Sequence, residues 1–380
     1  MTRPARLGRR AVSWLLALCA LATFAGAALV GCANLGYYWQ SASGHLGLLR
    51  AARPVPEVLA DAQTSPALKA KLELTQRIRR YAVTELHLPD NASYTGYAAL
   101  ARRAAVWNVV AAPPYSLALK TWCFAVVGCV GYRGYFNEAD ANAEAAIQRA
   151  AGLEAAVYPV PAYSTLGWMN WAGGDPLLST FIGYPEGELA RLIFHELSHQ
   201  LFYLPGDTLF NESFATAVER IGGARWLATE ASLEARAAYA DFDARRQQFR
   251  ALGLATRQRL QEVYASGAAK AHDWATVETM KQVAMTEFRD RYAALRASWP
   301  ENLRVGYDAW VAGANNASFG AQAAYDQWVP AFEALFYRID AEHPADPWPL
   351  FYAEVRRLGA LPVVDRAQAL LKLNPEHPNG

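Results

Sequence analysis

Two histidines stand four residues apart in the run Leu189–Gln200, LARLIFHELSHQ, and a glutamate follows the first of them: His195, Glu196 and His199. Residues i and i+4 of a helix share a face one turn apart, so both rings can turn a nitrogen toward one ion. Glu196 points to the neighbouring sector, close to such an ion but not on it. That placement suits a general base acting on water activated by a metal. The bland reading is a pair of surface histidines. Leu189, Leu192, Ile193 and Phe194 argue against it, because they make the helix apolar enough to be buried. A zinc hydrolase needs a third protein ligand and an open position for water. Asn211-Glu212-Ser213-Phe214-Ala215 begins shortly after His199 and offers Glu212; Glu219 lies further along the same stretch. On one helix these two acids are separated by about 10 Å along the axis. An ion within about 2.2 Å of a carboxylate cannot take both. The short connection from His199 favours Glu212 as the ligand. Asn211 and Glu219 then become residues that orient the ligands through hydrogen bonds.

The elements that must carry these residues can be read around them. Pro185 suits a first helical turn, and Glu186 and Glu188 complement its positive end. The helix should close near Tyr203, before Pro205-Gly206, and a second should start at Asp207 or Thr208. Upstream, Gly36 to Leu88 reads as helical with a break at ARPVPEV. Trp107–Ala112 and Leu117–Val127 read as buried strands joined by Pro113-Pro114. Asn137 caps a helix to Leu153, and Ala155 to Tyr163 reads as a strand. Tyr158 to Leu166 is a candidate edge strand for pairing with an extended substrate, with an ordinary core strand as the rival. Downstream, Gly222-Gly223 marks the start of a long helical hairpin, with arms Trp226–Ala265 and His272–Ser298 and a turn at Ser266-Gly267. Its many Arg and Glu residues read as solvated faces. A further helical region spans Asn315 to Ile339, where Asn315, Asn316 and Tyr325 are candidates to reach the site. A phenol at Tyr325 could stabilise an oxyanion, against the plain reading of a packed tyrosine.

Residues 1–31 read as a targeting segment: Arg3, Arg6, Arg9 and Arg10 precede an uncharged apolar run from Ala11 to Val30. Leu29-Val30-Gly31-Cys32 places a cysteine where lipid attachment would follow cleavage; an uncleaved membrane anchor is the rival reading. The whole chain has 36 basic and 35 acidic residues; without the four leading arginines the formal charge is −3. No basic stripe or Gly-rich phosphate loop is present, so nucleic acid is not an expected partner. Cys19 falls in the leader. Cys123 and Cys129 read as a disulfide in an oxidising compartment, with free buried thiols as the alternative.

The residues of the candidate site carry a resemblance. His195-Glu196-x-x-His199 with Asn211-Glu212-x-Phe214-Ala215 resembles the gluzincin metallopeptidases, which implies Glu212 as third zinc ligand and Glu219 as its supporting acid. The run Asn211–Arg220 is similar to the matching helix of leucyl-aminopeptidase-like zinc enzymes. Longer strings, TWCFAVVGCVGYRGYF, YSTLGW, ELARLIFHELSHQ and NNASFGAQAAYDQWVPAFEALFYRI, resemble bacterial lipoproteins identified as predicted aminopeptidases. The resemblance implies an α+β, helix-rich, zincin-like metallopeptidase with a small β-sheet and a long helical hairpin. It implies Zn²⁺ as cofactor and a peptide as substrate. It also implies a lipid anchor at Cys32 facing the periplasm, with the outer membrane favoured by Ala33. The expected organisation is a leader at 1–31 and one catalytic unit at 32–380, with a helical subdomain at about 224–380. The connection from His199 to Glu212 is shorter than in the large aminopeptidases, and their Gly-x-Met-x-Asn motif has no counterpart here. A zinc endopeptidase therefore stays open, as does a non-catalytic metal-binding envelope lipoprotein.

Overall fold

Local chemistry fixes the ends of most elements in the computed structural model, which describes residues 36–124, 128–167, 170, 173–301, 304, 306–323 and 327–374. The chain divides into two compact units, residues 1–50 and 51–380. Helix α1 (36–51) supplies the described structure of the first. The second opens with β1 (Ala52–Pro54), α2 (Val55–Ala60) and α3 (Pro66–Thr84). Then come β2 (Gly96–Ala98), β3 (Val106–Ala112), β4 (Trp122–Phe124), β5 (Gly128–Val130) and β6 (Arg133–Tyr135). Helix α4 (Glu138–Ala150) leads to β7 (Glu154–Val160) and β8 (Leu177–Leu178). The described elements beyond are all helices: α5 (Glu186–Leu201), α6 (Thr208–Thr229), α7 (Leu233–Tyr264), α8 (Gly267–Lys270) and α9 (Trp274–Ser298). The last are α10 (Asp308–Gly313), α11 (Asn316–Ala323), α12 (Val329–Glu342), α13 (Trp348–Gly359) and α14 (Val363–Leu373).

Strand β3 is buried along its whole length and forms the middle of the sheet β6-β3-β7. It runs antiparallel to β7, from Val106 opposite Val160 to Ala112 opposite Glu154. Helices α4 and α11 both pack on β3 and β7. The stretch Leu117–Val127 was expected to be a second long strand, but only Trp122–Phe124 is strand among its described residues. That strand pairs with β5 in a hairpin closed by the Cys123–Cys129 disulfide. Both sides of β3 are already taken, by β6 and β7, so this hairpin stands as its own sheet. The carbonyls of Pro113 and Pro114 are instead taken by the Asn316 amide, at 3.0 and 2.7 Å. Of the proposed edge segment Tyr158–Leu166, only residues 158–160 are strand.

Gly222-Gly223 does not end a helix: α6 runs through it to Thr229. A Cβ at Gly222 would lie 2.6 Å from Leu86 Cδ1 and 3.1 Å from the Phe194 ring. One at Gly223 would lie 2.6 Å from Arg191 Cγ. The glycines let α6 approach α5, and this close fit outweighs their weak helix propensity. The hairpin therefore begins later, as α7 packed on α9 around Phe249, Leu260, Phe288, Tyr292 and Trp299.

Candidate metal centre

Helix α5 forms because Leu189, Ala190, Ile193, Phe194 and Leu197 repeat at helical spacing, and all five are fully buried. The opposite side carries the polar residues, so burial of one face fixes the aim of His195, Glu196 and His199. Helix α6 starts at Asp207, whose Oδ1 accepts the Phe210 N–H at 3.0 Å. Between the two helices, the Asn211 amide grips Leu204 at both backbone groups, accepting its N–H and donating to its C=O, each at 2.8 Å. Asn211 thus shapes the connection, and its contacts are with backbone rather than with ligand side chains.

Three ligand atoms converge. The Nε2 atoms of His195 and His199 are 3.1 Å apart, and Glu212 Oε2 lies 3.3 Å from the first and 3.7 Å from the second. Two ring nitrogens and a carboxylate oxygen at such separations repel through their lone pairs unless a proton or a cation stands between them. Tetrahedral ligands about 2.0–2.1 Å from zinc are themselves roughly 3.3 Å apart. The donor set therefore fits a metal ion, and these three residues are the group among the described residues able to hold one. The electrostatics agree. Burial alone would favour neutral His195, yet hydrogen bonds to Glu212 and Glu219 and the charges of both raise its pKa well above the usual range. Burial likewise disfavours charge on Glu212, but His199 and His195 hold its carboxyl below the ordinary value. The pocket is built to retain positive charge.

Glu219 occupies the other side of the ring. His195 Nδ1 donates to Glu219 Oε2 at 2.9 Å, which leaves Nε2 facing Glu212 and His199. Glu219 is in turn paired with Arg191. Against the pull of burial, the Arg191 charge and the His195 hydrogen bond bring its carboxyl down to about 2. Arg191 also donates to Tyr239 Oη at 2.8 Å and lies 3.5 Å from Asp243. Arg246 adds an ion pair with Glu188 at 2.8 Å. This stretch of α7 was read as a solvated face; Tyr239, Asp243 and Arg246 instead join the ion-pair network that holds Arg191 against Glu219, and Arg246 lines the same cavity as His195 and Glu196. A cavity of about 220 Å³ beside it is lined by His195, Glu196, Leu192, Glu219 and Tyr184, among others.

One turn after Glu196, Gln200 donates to Ser93 Oγ and to Asp175 Oδ2, each at 3.2 Å, and accepts from Asn91 at 2.7 Å. Next to Ser93, Tyr94 has a positive φ of 63° and a buried hydroxyl without a hydrogen-bond partner among the described residues. Burial first, then the charges of Glu196 and Asp175, push its phenol well up. Burial and the charge of Glu212 do the same to Tyr132. Both phenols stay protonated. They were missed in the sequence, where each sits in a loop far from the histidine motif with no periodicity to mark it.

Tyr325 and Cys32 lie outside the described residues. Asn315 and Asn316, candidates to reach the site, hold α11 to the sheet instead. Asn315 donates to Ala155 O at 3.2 Å, and Asn316 accepts from Tyr264 Oη at 2.7 Å besides gripping the two proline carbonyls. No curated protein and no solved structure matches the chain. Residues 36–370 match the family described as "Putative aminopeptidase". That match takes in most of the chain, with both helices of the ligand cluster, and on it the protein belongs to this aminopeptidase family.

Proposed function

We propose that this protein is a zinc-dependent aminopeptidase of the bacterial cell envelope with a zincin-like α+β fold, in which His195, His199 and Glu212 hold the ion. The observation that carries this reading is the convergence of those three ligand atoms, with Glu196 beside them and Glu219 fixing the His195 ring. When bound, zinc supplies a Lewis acid that polarises a carbonyl and acidifies water. Glu196 takes a proton from the attacking water and returns it to the leaving amine. Tyr94 and Tyr132 are the phenols able to donate toward the oxyanion. A structural zinc site is usually closed by four protein ligands; the described cluster has three, which favours catalysis over a passive metal holder. The basic and apolar leader ending at Cys32 supports a lipid anchor facing the periplasm. No described helix is long and apolar enough to cross a membrane.

The test is incubation of zinc-loaded protein with matched free and N-acetylated peptides. The expected result is release of N-terminal residues from the free peptides alone. Equal cleavage of both, with internal products, would establish an endopeptidase instead. Glu196→Gln should retain zinc while turnover falls by roughly 10²–10⁴-fold; unchanged cleavage with zinc bound would remove Glu196 from the role of base.

A further inference from the structure

A second cavity, of about 290 Å³, opens where the disulfide hairpin, the β3 sheet and the start of α6 meet. Its walls are mostly apolar, with Val110, Leu119, Tyr158, Leu209 and Ala321 among them and Tyr132 also lining it. It adjoins the metal centre along α6. Leu209 and Thr208 precede Glu212 by three and four residues, so they share its side of the helix about one turn, or ~5 Å, away. The one charged group in the lining is already satisfied. Asp207 Oδ1 caps α6, and its Oδ2 pairs with Arg366 at 2.9 Å. A cation entering here finds no free carboxylate, and an anion finds Asp207. An apolar cavity of about 150 Å³ accepts a benzene-sized group. Roughly twice that volume holds one large side chain but not a whole peptide.

We infer that this cavity is the specificity pocket of the peptidase and receives a large, neutral, apolar side chain, aliphatic or aromatic, from a residue flanking the scissile bond. The inference rests on the peptidase reading above. The hairpin, which places Cys129 in the wall, then forms part of the substrate site as well as a covalent staple.

The experiment measures kcat/KM of the zinc-loaded protein on short peptides carrying Gly, Ala, Leu, Phe, Asp or Lys in turn at each residue flanking the cleaved bond. At one of the two positions Leu and Phe should exceed Gly, Asp and Lys by at least about tenfold. Ala321→Phe, which fills the cavity, should cut the Phe-to-Ala ratio by a similar factor. Binding supplies a readout apart from turnover: in calorimetry, zinc-free protein should bind phenylalaninamide more tightly than glycinamide, and Ala321→Phe should abolish the difference. Should that variant fail to fold, Thr121→Glu at the exposed rim should move the preference from Phe toward Lys. Cleavage without side-chain preference, or an unchanged Phe-to-Ala ratio in folded Ala321→Phe, overturns the pocket while leaving the peptidase intact. Absence of any cleavage, with the difference in amide binding retained, counts against the peptidase and not the pocket.

Discussion

His195 divides its ring nitrogens between two carboxylates, and the division assigns different roles to Glu212 and Glu219. Glu212 faces the nitrogen that a metal would use, whereas Glu219 takes the proton on the far side. Glu212→Ala should therefore abolish stoichiometric zinc, read as metal content of the purified protein. Glu219→Gln should retain zinc with affinity or rate lowered about 10–100-fold. Zinc kept in the first and lost in the second would reverse the assignment. The raised pKa of His195 adds a pH signature. In the zinc-free protein a proton occupies the ring until the pH passes that raised value, and zinc must displace it. Apparent zinc affinity should climb with pH across the neutral range and level off above the His195 pKa; a titration series showing no climb contradicts this.

Helices α5 and α6 act as one device because Gly222 and Gly223 let them touch. Gly222→Val should destabilise the fold by about 1–3 kcal/mol in denaturant titration, as overpacking does, and weaken zinc binding with it. A neutral result would mean that the neighbouring Leu86 and Phe194 side chains yield freely. The loop that supports Gln200 carries its own pH dependence. Burial, aided by the charge of Glu196, lifts Asp175 to about 6 despite its hydrogen bonds to Thr165 and Ser164. Its pKa is higher folded than unfolded, so its stabilising share is complete below about pH 4 and lost as pH rises through about 6. Compared with Asp175→Asn, wild type should lose up to about 3 kcal/mol over that window and change little above it. A constant difference between the two proteins would refute the shift. These elements also show what the sequence disclosed. The apolar repeat of α5, its two histidines and the start of α6 at Asp207 or Thr208 were legible because each is a local pattern. The glycine pair was misread as a break, because close approach between two helices leaves no local mark. The partners of Arg191 on α7 and the two tyrosines near Glu196 were invisible for the same reason. Their positions depend on contacts across 48 residues for Tyr239, and still more for Ser93 with Gln200.

The two ends of the chain can be tested separately. Mass spectrometry of the mature protein should show an acylated Cys32 at its N-terminus; a retained arginine-rich leader would sink the lipid anchor. At the other end, Arg366 on α14 is buried and reaches back to Asp207, the residue that caps α6. It also donates to the carbonyls of Gly359 and Leu361, each at 3.0 Å. Arg366→Met should lower stability by about 1–3 kcal/mol and reduce zinc affinity through the loosened start of α6; unchanged zinc affinity would disconnect the two. The span from Asp207 to Arg366 is 159 residues. A ribosome releases Glu212 and the start of α6 far earlier than the arginine that pairs with the cap of that helix. In time, then, the support at the start of α6 is completed only after the last described helix has been made, although it lies mid-chain. A chain cut short before α14 would present the same α5 and α6 with the Asp207 cap unpaired.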